Sequence, residues 1–85
     1  MNTNAIKSAY QAAKAAATAA KNAIGNETIT DDEFDALCIA ECEANDALVA
    51  ELVKFANGAL SERDASDLVL CKFDKLGALI ARLAA

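Results

Sequence analysis

Two long helix-periodic runs, Asp31 to Ala56 and Glu62 to Ala84, are separated by a short stretch that contains Asn57-Gly58. Apolar side chains recur at three- and four-residue spacing through both runs, and an Asn-Gly pair is a strong reversal signal. Such a chain folds back on itself as a helical hairpin. Nothing in the sequence favours a strand: proline is absent, glycine occurs three times, and alanine and leucine dominate.

The first hairpin helix should start at Thr30-Asp31-Asp32-Glu33, a capping box with Thr30 as N-cap and Glu33 reaching back. Its three acids also suit the positive end of the helix dipole. Phe34, Leu37, Cys38, Cys42, Leu48, Val49, Leu52, Phe55 and Ala56 form its predicted core stripe. Ser61 caps the second helix, whose stripe is Ala65, Leu68, Val69, Phe73, Leu76, Leu79, Ile80 and Leu83. A strip of Leu70, Gly77, Ala81 and Ala84 widens that apolar region on one side and suits the docking of another helix or a second subunit.

Upstream, residues 4 to 24 form a further helix ended by Gly25. Ile6, Tyr10, Ala13, Ala17, Ala20 and Ile24 repeat with heptad spacing, and the small side chains in the middle allow another backbone to come close. The fold class is therefore all-α, a three-helix antiparallel bundle. It forms one domain over residues 1–85, with helices at about 4–24, 31–56 and 62–84.

Charge is divided unevenly along this chain. Residues 1–26 carry Lys7, Lys14 and Lys21 and no acid, a charge of +3. Residues 27–85 set thirteen acids against five bases, −8, for a net charge of −5. The lysines lie seven apart and so nearly on one line of the first helix. They form either a solvated flank or a stripe that meets the acidic face of the second helix, within the subunit or across an oligomer. That acidic face consists of Asp32, Asp35, Glu43, Asp46 and, further round, Glu51. An acidic bulk argues against direct binding to nucleic acid or to an anionic membrane.

Three charged or amide residues interrupt the apolar stripes. Glu41 and Asn45 fall in the middle of the second helix's stripe, and Lys72 in the middle of the third's. An antiparallel hairpin brings them within reach of one another. A charge buried alone costs several kcal/mol, so they are expected to form a buried polar layer that sets the hairpin's register.

Chemistry finds little support. Histidine is absent, so a cysteine nucleophile lacks its usual base, and no glycine loop is arranged to cradle phosphate. Cys38 and Cys42 lie one turn apart, but zinc would need two more ligands, so both thiols are expected in the core, reduced and unbridged. Cys71 should be the most exposed of the three. No enzyme activity, cofactor or metal site is expected. The N-terminus lacks the leucine-rich run of a signal peptide, which suggests a cytoplasmic protein.

A composition 55% hydrophobic but only 5% aromatic, with a mean hydropathy of +0.20, implies apolar surface for a neighbour to cover. The expected function is non-catalytic protein–protein binding to a partner that the sequence does not identify. Self-association is expected through the alanine seam or the Leu70–Gly77–Ala81 strip. One alternative is an acidic inhibitor of the kind phages use against host defence, imitating nucleic acid and occupying a nucleic-acid-binding protein. Its complex would weaken steeply with salt, whereas an alanine-seam assembly would barely respond. Another is a minor scaffold component of a larger assembly.

Overall fold

The computed structural model describes residues 3–82, which are all-helical: α1 (Thr3–Ile24), α2 (Asp31–Ala56), α3 (Glu62–Cys71) and α4 (Phe73–Arg82). Leu83 and Ala84, assigned above to the third helix, lie outside the described residues.

The local signals act where the residues place them. The Glu33 N–H donates to Thr30 Oγ1 at 3.1 Å, and the Thr30 N–H donates to Glu33 Oε1 at 3.4 Å, which completes the capping box. The Asp64 N–H donates to Ser61 Oγ at 3.1 Å at the start of α3. Between α2 and α3 the chain takes two successive left-handed residues, Asn57 (φ 51°) and Gly58 (φ 92°). Between α1 and α2, Asn26 Oδ1 accepts from the Thr28 N–H at 3.0 Å and the Thr28 hydroxyl at 2.7 Å, an Asx turn that tightens the link.

The expected third helix is broken. Lys72 has φ −130° and ψ 38°, far from the helical ψ of about −42°. The break keeps the bonds around it: the Lys72 N–H donates to Leu68 O at 3.2 Å, and the Leu76 N–H donates to Lys72 O at 2.9 Å. With so little backbone bonding lost, tertiary contacts decide the chain's direction. α3 lies against α2, whereas α4 leaves α2 and packs on α1. Two contacts hold it there. Phe73 stacks on Tyr10 with ring centroids 4.6 Å apart, and Gly77 passes so close to the Tyr10 ring that no Cβ would fit without displacing it. The chain is thus a four-helix fold in which the predicted three-helix bundle is only partly realised.

The core gathers Ile6 and Ala13 of α1, Leu48, Val49 and Leu52 of α2, Ala65 and Val69 of α3, and Leu76 and Ile80 of α4. All of it lies toward the Asn57-Gly58 turn. At the other end, Ala20 and Ala23 are buried apart from this cluster, and Phe34, Leu37 and Cys38 are only half-buried. There α1 and α2 continue as a two-helix arm with no third helix of the described residues across them. The molecule is correspondingly long, 43 × 25 × 20 Å, with a Cα radius of gyration of 14.0 Å. A compact 85-residue domain would have a radius of about 12 Å.

Candidate interaction surface

The arm's open side is a groove where α3 ends. Ala17 of α1 and Glu41 and Asn45 of α2 line it, and Val69, Leu70 and Phe73 close one end. Helical spacing then assigns its rims. Lys14 and Lys21 are the i−3 and i+4 neighbours of Ala17, so they flank the groove on the α1 side. On α2, Cys38 and Cys42 are the i−3 neighbours of Glu41 and Asn45, whereas Asp46 lines a separate cleft with Val49, Val53, Glu62 and Ser66. The α1 side is basic, and the floor sets the small Ala17 against the polar Glu41 and Asn45.

The buried polar layer does not form, and no polar or charged residue is buried among those described. Glu41 and Asn45 come together as expected, half-buried at the groove. Lys72 is exposed at the α3–α4 break, with its ammonium 3.6 Å from Asp67 rather than on Glu41. The physical reason is the cost of burying an ammonium. Ending α3 at Lys72 places that charge in water, and the polar pair on α2 is left without its third member. Glu41 makes no hydrogen bond or ion pair with the described residues.

The acidic face lies largely where the spacing put it. Asp32, Asp35, Glu43 and Asp46 are exposed, while Glu51 is half-buried and 3.7 Å from Lys54. None of the first four is ion-paired among the described residues. Ile39, 58% exposed, stands among them, an apolar position that hydropathy patterning had not singled out. Lys14 and Lys21 are exposed and Lys7 half-buried, and none of the three pairs with an acid of its own described chain. Among the described residues the lysine stripe thus forms no ion pair with α2.

The alanine seam is used inside the molecule. Ala13 is fully buried and Ala20 nearly so, Tyr10 and Ala17 are half-buried, and α1 lies along α2. Ala13 is taken up by the subunit's own core, while Ala17 lines the open groove. The seam also shifts at its end, where Ala23 is buried and Ile24 is 75% exposed. Of the Leu70–Gly77–Ala81 strip, Gly77 packs on Tyr10, and Leu70 and Ala81 are exposed.

The thiols are all free, with Cys38 half-buried and Cys42 and Cys71 exposed. Cys42 was expected in the core. With α3 ending at Cys71, no described helix covers it. Two features were missed by pattern alone, the Lys72 break and the Tyr10–Phe73 stack. The clues were a lysine in mid-stripe and Gly77 inside a helix, each of which is costly unless a tertiary contact explains it.

The chain matches no protein-family model, no curated protein and no solved structure. No helix among the described residues is long and apolar enough to cross a membrane.

Proposed function

We propose that this chain is a non-catalytic interaction protein that works through its helix faces and self-associates. One observation carries the reading. The molecule exposes 5884 Å², whereas a compact monomer of its 8.8 kDa mass exposes about 4,800 Å². The excess of about 1,100 Å² exceeds the roughly 800 Å² that each partner contributes to a stable interface. Ile24, Ile39, Leu70 and Leu79, each about half or more exposed, supply apolar area for it.

A second reading has its own support in the four exposed, unpaired acids of α2. An acidic inhibitor would present Asp32, Asp35, Glu43 and Asp46 to the basic surface of a nucleic-acid-binding protein. Co-expression of tagged and untagged copies in the source cell separates the two. Self-association returns the untagged copy with the tagged one. The second reading holds instead if a nucleic-acid-binding protein is recovered without the untagged copy, and is lost when Asp35, Glu43 and Asp46 are neutralised.

A further inference from the structure

We infer that the outer side of α2, together with the cleft it forms with α3, is a docking groove for a basic amphipathic helix of another protein. The inference rests on the reading of this chain as a non-catalytic interaction protein and is separate from its self-association.

The residues that carry it form one line. Asp35, Ile39, Glu43, Asp46, Ala50 and Val53 follow one another at three- and four-residue intervals, so they share one side of α2. Leu48 and Leu52, which α2 gives to the core, lie on the other side. Toward the Asn57-Gly58 turn the line runs into a cleft of about 610 Å³ between α2 and α3. Val49, Ala50 and Val53 give that cleft an apolar floor, and Glu62 and Ser66 of α3 form its far wall. Ile39, 58% exposed, is a second apolar point on the same line, about 16 Å from Ala50 along the helix. A helix of about four turns laid along this line meets an apolar side chain near each of its ends.

Charge complementarity selects the occupant. Asp35, Glu43, Asp46 and Glu62 border the apolar points, all four are exposed, and none is ion-paired among the described residues. Lys54, the one cation lining the cleft, lies 3.7 Å from Glu51, which answers its charge. Apolar contacts flanked by unanswered carboxylates fit a helix whose apolar stripe is bordered by lysines or arginines. Nucleic acid or an anionic lipid surface would meet the same carboxylates as repulsion.

The test uses the full chain and three synthetic peptides of about 18 residues, with binding read by fluorescence anisotropy. The first has leucine at heptad positions a and d and lysine at e and g. The second contains the same residues in scrambled order, and the third has glutamate in place of lysine. The first should bind at least about tenfold more tightly than the second, and the third should not bind. Ala50→Lys, which sets a long cation on the cleft floor, should weaken the first peptide by about tenfold, and Glu43→Gln with Asp46→Asn by a similar factor. Ala50, Glu43 and Asp46 are exposed, so far-UV circular dichroism should show unchanged helix content. Asp74→Asn, on exposed surface of α4, should leave binding as it is in the parent. Failure of the first peptide to bind, equal binding of the ordered and scrambled peptides, or parental binding by Ala50→Lys overturns the groove. Sedimentation separates this inference from self-association. Ala50→Lys should self-associate as the parent does, and a loss there would give the groove to a second copy and overturn the inference while self-association stands. A monomeric parent that binds the first peptide as expected would end the self-association reading and leave the groove.

Discussion

A methyl group added at Gly77 would arrive 2.9 Å from Cζ of Tyr10, inside van der Waals contact. Tyr10 cannot swing away freely, because its ring is stacked on Phe73. Alanine in a helix is worth up to about 1 kcal/mol over glycine, and overpacking costs about 1–3 kcal/mol. Gly77→Ala should therefore lower the urea midpoint of the otherwise unchanged chain. In a Tyr10→Ala background the obstruction is gone, and the same substitution should raise it. A stabilising effect in both backgrounds would mean that Gly77 does not set the α1–α4 approach. Lys72 gives a second test at this scale. Its ammonium pairs with Asp67 at the surface rather than with Glu41. Lys72→Met should thus cost no more than about 0.5 kcal/mol. Combined with Glu41→Leu, it should show coupling within the roughly 0.3–0.5 kcal/mol of independent sites. Coupling well above that would restore the buried layer.

At the scale of elements, what could be foreseen from the residues was what they decide locally. Thr30 with Glu33, Ser61, and the Asn57-Gly58 reversal set the starts of α2 and α3 and the turn between them, because each needs only its own neighbours. The division of 62–84 into α3 and α4 depends on Tyr10, more than sixty positions away in the chain from Phe73 and Gly77. Periodicity carries no record of such a contact, so a continuous stripe was the natural expectation. The candidate site divides the same way. The exposed acids and lysines were legible as stripes, but the groove joins Ala17, Glu41, Asn45, Leu70 and Phe73 from four helices and needs contacts between distant segments. The seam of α1 separates two alanines that look alike in sequence. Ala13 is fully buried in the core, whereas Ala17 lines the groove. Ala13→Leu should destabilise by about 1–3 kcal/mol, and Ala17→Leu, melted at low concentration, by much less. Equal losses would place the groove inside the core.

Taken whole, the molecule packs its core at one end and leaves a two-helix arm at the other. Its surface and its radius of gyration both exceed what a compact chain of this size would show. These excesses accompany an arm of α1 and α2 that no third described helix crosses, α3 packing on α2 and α4 on α1 near the other end. The proposed self-association would cover part of that surface. Sedimentation equilibrium of the unmodified chain tests this most directly. As concentration rises, the mass should move from 8.8 kDa toward twice that value and stop there, since a two-fold interface closes on itself. A constant 8.8 kDa at every concentration would contradict it.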